Sequence, residues 1–565
     1  MPGGIMNLVS QGQQNVYLNG NPSKSFFKTT YSKYTNFGLQ KFRVDFEGAK
    51  TLRMTEESNF TFKIPRYADL LMDTYLSVSL PNIWSPIMPP QQRTADPTEV
   101  NSGKWIPYEF KWIENLGAKM ISKITITCGN QLLQEYSGNY ILATVQRDYS
   151  SEKLALFNKM IGQVPELNDP ANSGARVNSY PNAYYTDNLA GPEPSLRGRI
   201  LYIPLNAWFN LKTQMAFPLV ALQYNELYIN VTFRPVNQLF VIRDVFDSVN
   251  NYPYVAPNFN TYYMQFHRFL QPPPDINLSI DSYTDTRTGW NSDLHLECTY
   301  CFLSNEESRY FATNEQKYLF KQVHETSYYN ITGSNKIQTN SIGMVANWLF
   351  YFQRSDANLR NEWSNYTNWP YKYIPNDLIQ APADGNYKVT RVHSGGTSDI
   401  VPIGPGVNVN GQLTGWMLSG LYNVQNEKQI LVNLGILLDG SYRENMQPVG
   451  IFNLIEKYTR TAGNAPDGLF CYNFCTDTSP YNMQPSGAIN MSRFNQIEFE
   501  FNTITPPLDP LAQTLSICDP VTGTVIGNNK NTWNIYEYNF NLYVMEERLN
   551  MIIFVGGNCG LMYAT

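Results

Sequence analysis

Charge is scarce in this chain of 565 residues: Asp, Glu, Lys and Arg together make up 16%, and the formal net charge is −6. No run of Lys and Arg longer than two occurs. A protein that neutralises phosphates needs a basic face, so direct nucleic-acid binding is not expected. Long apolar runs are missing as well. None reaches the ~18 residues of a membrane-spanning helix, and the opening stretch 1–24 lacks the charged and apolar regions of a secretory signal. The expectation is synthesis in the cytosol.

Histidine and cysteine are also few. None of His267, His295, His324 and His393 stands at ligand spacing from another, and no His-Glu-x-x-His occurs, so isolated structural or surface histidines are expected. The cysteines are Cys128, Cys298, Cys301, Cys471, Cys475, Cys518 and Cys559. Cys298 and Cys301 have half the spacing of a zinc knuckle, with Cys471 and Cys475 as a second half. Yet 296–303 reads as a strand, which sends those first two thiols to opposite faces, and no glycine turn separates them. Free thiols, no metal and no cofactor follow. Gly404-Pro405-Gly406 with Gly411 lacks the Lys-Ser/Thr of a phosphate loop, and no Gly-x-Ser-x-Gly occurs. The adjacent pairs Glu306-Glu307 and Glu546-Glu547 point opposite ways if they lie on strands, which suits a structural role better than paired-carboxylate catalysis. No enzyme is expected.

What the chain does have is apolar alternation. Hydrophobic residues make up 42%, with 39 Tyr and 30 Phe, enough for large cores; the length points to two large domains. Leu227, Ile229, Val231 and Phe233 alternate with polar residues, as do Ile497, Phe499 and Phe501; these seven are the candidate core-strand positions. Shorter runs are Phe42-Val44-Phe46, Phe60-Phe62-Ile64 and Leu76-Val78-Leu80. Helical spacing is confined to Leu154, Phe157, Met160 and Ile161 after the cap Ser151, and to Ile451, Leu454, Ile455 and Tyr458. Strands dominate, so the class is all-β, a sandwich or barrel. Long Pro-, Gly- and Asn-rich stretches (81–107, 164–198, 250–275, 370–415) carry Trp84, Trp105, Tyr184 and Tyr185, a composition for packed loops.

The chain also repeats three landmarks in one order. Phe27-Lys28 with Tyr34-Thr35-Asn36 matches Phe320-Lys321 with Tyr328-Tyr329-Asn330. Tyr224-Asn225-Glu226-Leu227 matches Phe494-Asn495-Gln496-Ile497. Residues 296–311 match 541–554, both read as strand with a Glu-Glu pair inside. Two copies of one β-domain are expected, 26–312 and 313–565, after an N-terminal arm, 1–25.

Several stretches resemble the major capsid proteins of nucleocytoplasmic large DNA viruses: Val16-Tyr17-Leu18 with Asn21-Pro22, then 25–37; the strand pair 203–233; the join 303–323, whose acidic and Arg-rich character is diluted here; and 481–494 with its Gln-Pro-Ser-Gly and Ser-Arg. The resemblance spans residue 16 to about 561. It implies two tandem eight-stranded jelly rolls with long loops and a few short helices. It further implies a homotrimer of pseudo-hexagonal outline whose capsomers tile an icosahedral shell, with loops outward and the N-terminal arm inward. The implied partners are neighbouring capsomers, minor capsid, cement and penton proteins, and inner membrane-associated proteins reached through the arm. The implied location is the virion, assembled in host cytoplasm.

Asn-x-Ser/Thr sequons begin at Asn59, Asn277, Asn330 and Asn365, weak glycosylation candidates, and at Asn230 and Asn490 in or beside core strands. A jelly roll with Trp- and Tyr-rich loops also fits an alternative, a carbohydrate-binding or glycan-cleaving protein.

Overall fold

The computed structural model describes all residues except 1–11, 49–50, 86, 89–105, 177–178, 182, 184–192, 245–252, 262–263, 273–288, 373–386, 393–397, 404–405, 408–412, 415–426, 510–511, 513, 531–534 and 564–565. The expectations placed on Asn277, His393, Gly404, Pro405, Gly411, Trp105, Tyr184 and Tyr185 lie outside the described residues.

Among the described residues the first half supplies β1 (Phe37–Val44), β2 (Ser58–Lys63), β3 (Leu70–Ser79), β4 (Ile121–Cys128), β5 (Gln131–Tyr136), β6 (Ile200–Pro204), β7 (Leu227–Phe233) and β8 (His295–Leu303). The second supplies β9 (Gln316–Ile331), β10 (Ser334–Gln338), β11 (Met344–Arg354), β12 (Leu431–Leu438), β13 (Ser441–Pro448), β14 (Leu469–Asn473), β15 (Ile497–Thr503) and β16 (Phe540–Val555), with β17 (Asn558–Leu561) folding back on β16. One sheet runs β1-β8-β3-β6 and the other β2-β7-β4-β5. Adding eight to every label reproduces the second half: β9-β16-β11-β14 and β10-β15-β12-β13. Each half is an eight-stranded jelly roll, two antiparallel sheets curled over one core.

The alternating strands sit at the centre of this plan. Ile229 on β7 lies between Phe62 of β2 and Ile126 of β4. Phe499 on β15 lies at the corresponding place, between Ile337 of β10 and Ile436 of β12. Burying one such side chain is worth ~1.5–3 kcal/mol. The Asn-Glu and Asn-Gln landmarks before these strands have a shared task. Gly129, in the β4–β5 turn, donates its N–H to Glu226 O (2.9 Å), and Asp439, in the β12–β13 turn, donates to Gln496 O (2.8 Å). The repeat is a hairpin tied to the entry of the neighbouring strand.

Two parts of the repeat need correction. Glu306 and Glu307 are not in a strand but in the first turn of helix α3 (Asn305–Thr313), where Ser304 accepts from the Glu307 N–H and the carboxylates face the positive helix end. They are not equivalent to Glu546-Glu547, which lie mid-strand on β16. Phe27-Lys28 is likewise not equivalent to Phe320-Lys321: the latter sits in β9, whereas the first strand starts only at Phe37 and Phe27 is fully exposed. Aromatic-rich sequence produced a local likeness with no partner strand behind it.

In the first barrel the link from β5 to β6 opens with α1 (Gly138–Asp148), capped by Ser137, and α2 (Ser151–Met160), capped by Ser150, one residue before the expected Ser151. Gly138 is required, since a Cβ there would lie 1.9 Å from Ala118 O. In the second barrel Ile451–Ile455 is a π-turn running into the α-turn Glu456–Arg460. The apolar face expected there is turned to solvent: Leu454, Ile455 and Tyr458 are exposed, and Phe452 is the buried apolar side chain that anchors the turn. Loop segments add a three-stranded sheet of Phe110–Trp112, Phe240–Arg243 and Tyr254–Val255, packed with Phe266 and Phe269.

The barrels do not stand apart. On β11, Trp348, Phe350 and Phe352 enter the second barrel's own core, while Leu349 and Tyr351 join a cluster continuous with the first barrel. A sheet buried on both faces loses its alternation, and β11 is buried from Val345 to Gln353. Trp208 meets Phe320 at 5.4 Å and Phe217 meets Phe554 at 5.1 Å across the seam.

Candidate assembly surfaces and the inter-barrel charge cluster

The seam contains buried charge. Strand alternation sends Glu546 and Glu547 of β16 to opposite sides. Glu547 faces α1 of the first barrel, where its Oε1 accepts from Tyr140 OH (2.9 Å) and Arg147 Nη2 (3.0 Å). Its Oε2 accepts from Asn347 Nδ2 (2.6 Å) and lies 3.3 Å from Lys321 Nζ. Arg147 also bonds Asp148 (2.6 Å) and Asn347 Oδ1 (3.0 Å), and Thr478 Oγ1 donates to Asp148 (2.6 Å). Burial by itself would raise the Glu547 carboxyl, but Arg147, then Lys321, outweigh it and hold the group at about 2. With both oxygens occupied from both barrels, Glu547 has no lone pair left for chemistry; the cluster is a weld. Glu546, on the other face, accepts from Trp348 Nε1 (2.6 Å), Ser341 and Arg548.

Lys119 is a second buried cation at the seam, donating to Asn139 Oδ1 (2.9 Å) and to Tyr366 OH of the second half (3.3 Å). Burial, with Arg234 and Lys372 nearby, pushes its ammonium well below the ordinary range. Neither Arg147 nor Lys119 was picked out from the sequence. Ser137 as a cap with Ile141, Leu142 and Val145 at helical spacing was the signal for α1; no local signal exists for the ion partners, which are 400 residues apart in the case of Arg147 and Glu547.

Leu227, Ile229, Val231, Phe233, Ile497, Phe499 and Phe501 are all buried. Among the sequons Asn59 and Asn330 are exposed. Asn365 is buried: its Nδ2 donates to Trp369 O (2.7 Å) and its Oδ1 accepts from Thr367. Cys298 belongs to the main core and Cys301 to a separate small cluster, on opposite sides of β8. His295 is buried beside Glu297, and His324 is set in the seam strand β9. Among the described residues no group of His, Cys, Asp and Glu is placed to hold a metal, and no helix is long and apolar enough to cross a membrane. The Gln484-Pro485-Ser486-Gly487 stretch closes a loop: Ser486 Oγ donates to Asp477 O (2.8 Å) and accepts from the Asp477 N–H (3.0 Å).

The other notable surface is the N-terminal segment. Every residue from Val16 to Lys41 is exposed, including Phe26, Phe27, Tyr31 and Tyr34. Val16-Tyr17-Leu18 forms a single helical turn and adds no strand to the first barrel. β1 follows as a sheet edge, bonded on one side to β8, with Phe37 and Leu39 exposed. Among the described residues, an unburied row of aromatics thus lies beside this edge.

Two jelly rolls of one topology, welded through a buried seam, place this chain in the double jelly-roll class. Residues 25–267 match the family model for the major capsid protein N-terminus, and 307–560 match that for the large eukaryotic DNA virus major capsid protein. The chain belongs to the family of major capsid proteins of large eukaryotic DNA viruses. It is 29% identical to the major capsid protein of Chrysochromulina ericina virus over 60% of this chain and 55% of that one. It is 30% identical to capsid protein 1 of Acanthamoeba polyphaga mimivirus over 59% and 46%. These matches span about half the length of the relatives; that to the major capsid protein of Paramecium bursaria Chlorella virus 1, at 23% identity, covers 100% of both. A chain of the PBCV-1 virus capsid (TM-score 0.57, 18% identity, 96% of this chain and 100% of that) and the Faustovirus major capsid protein (0.57, 12%, 94% and 92%) share the fold.

Proposed function

We propose that this chain is the structural unit of an icosahedral shell, working as a homotrimer in which three double barrels form a pseudo-hexagonal capsomer. The carrying observation is the identity of strand order in the two barrels together with the seam that fixes them as one body. Two like barrels per chain let a closed three-fold assembly approximate six-fold symmetry, the shape that tiles a flat face. The barrels divide as 26–312 and 313–565, with α3 at the join. The arm, 1–25, contacts neighbouring capsomers or minor, cement, penton or inner membrane-associated proteins; the virion, assembled in host cytoplasm, is its location. Light scattering on the purified chain tests the core of this reading: the mass should be three times 64.7 kDa. A stable monomer at assembly concentrations overturns it.

A further inference from the structure

Two cysteines from opposite barrels meet at one end of the seam. Cys128 ends β4 of the first barrel, and Cys559 lies on β17, a short strand that among the described residues pairs with β16 alone. The β16–β17 turn is stitched to the first barrel. Gln223 donates its N–H to Gly557 O (2.9 Å), and Asn225 Nδ2 donates to Asn558 Oδ1 (3.3 Å). Gly557 sits at φ +81°, and a Cβ there would lie 2.9 Å from the Gln223 side chain, so the turn is pressed against that loop. Both cysteines are free, belong to the same hydrophobic cluster, and are 1% and 6% exposed. Gly129, next to Cys128, packs on Asn225, which holds Asn558, next to Cys559, so the two cysteines are neighbours within that cluster across the seam.

We propose that Cys128 and Cys559 are an oxidative cross-linking site that covalently locks the two barrels together, with a disulfide-bearing molecule as the oxidant. The pair is chemically asymmetric. The Cys559 S–H, then Arg66, lower the Cys128 thiol, while the bond to Cys128 and burial raise Cys559. With Cys128 as the first thiolate, Cys559 is the resolving thiol. It attacks one sulfur of the oxidant RS–SR, forming a mixed disulfide and expelling RS⁻. Cys559 gives its proton to that leaving thiolate and attacks the Cys128 sulfur, expelling the second RS⁻, which takes up the proton that Cys128 gave up. Two cysteine thiols lose two electrons and one disulfide becomes two thiols. Access requires that β17 lift from β16, a four-residue pairing at the sheet margin, and that its bonds to Gln223 and Asn225 open. The site stays reduced in a glutathione-buffered cytosol and closes in an oxidising medium.

The test uses the purified full-length protein with oxidised glutathione as the probe. After oxidation, alkylation and digestion without reductant, mass spectrometry should find the Cys128 peptide joined to the Cys559 peptide. Beyond any glutathione adduct on the exposed Cys518, free thiols in the denatured chain should fall by two from seven. The melting temperature should rise by a few degrees and return with dithiothreitol, as closing so long a loop restricts the unfolded chain. In Cys559→Ser the link should vanish and Cys128 should carry glutathione. Recovery of both wild-type cysteines alkylated, each as a separate glutathione adduct, or linked to another chain overturns the proposal. The wild-type spectrum decides even if the variant does not fold.

Discussion

Glu547 and Arg147 show how two side chains act at a distance no local pattern could encode. Each is buried, and each is satisfied by groups from the other barrel. Removing one member leaves an uncompensated buried charge, so Glu547→Gln should cost ~3–5 kcal/mol in urea unfolding. The pH dependence has a definite sign. The Glu547 carboxyl is held at about 2 against an ordinary 4.5, so its stabilisation is present above 4.5 and is lost as pH falls toward 2. The wild type should lose stability across that window, and Glu547→Gln should show a flatter acid limb. At the core positions the mechanism is simpler. Ile229→Asp or Phe499→Asp would bury an unpaired charge, and neither variant should yield soluble trimer. Normal expression and melting of either would place these residues outside the core.

At the scale of elements, pattern and environment diverge where an element has two neighbours. β7 has one face on the core and one half-open, so its alternation was readable as a strand. β11 has a core on each side, and its sequence, Met344 to Arg354, is apolar nearly throughout; α1 was missed for a similar reason, since most of its surface is covered. Another consequence of loops packing across the seam is a cavity of about 520 Å³ where residues 360–372 close over the first barrel. Glu362 lines it, and burial, then the Glu114 charge, raise its carboxyl to about 7 despite Lys111, Arg360 and Lys372. A raised carboxyl contributes stability below the ordinary 4.5 and loses it as pH rises through 7. Wild-type melting should therefore decline between pH 5 and pH 8 more than that of Glu362→Gln. Parallel curves would show that Glu362 is solvated.

For the whole molecule, the arm and the barrels should prove separable. Residues 16–36 are exposed along their length and precede β1, so they contribute little to the barrel fold. Deleting residues 1–14 should leave trimers with near-native melting temperature, while shell assembly in infected cells or in reconstitution should fail. Loss of trimerisation on that deletion would assign the arm to the fold instead.

The sequence by itself determined the all-β class, the strands β7 and β15 with their inward residues, the doubling of the domain and, through its motifs, the family. These are local or repeated features: alternation with period two is set by the pleat, and a motif entering a strand is contiguous in the chain. It misread the Phe27-Lys28 landmark and the state of Glu306-Glu307, because a run of aromatics or acids does not announce whether a partner strand lies beside it. Only the tertiary structure decided that the two barrels share one buried seam. The groups that make it, Arg147 with Glu547, Lys119 with Tyr366 and Cys128 with Cys559, come from opposite halves of the chain, and their pairing is a property of packed surfaces rather than of any segment.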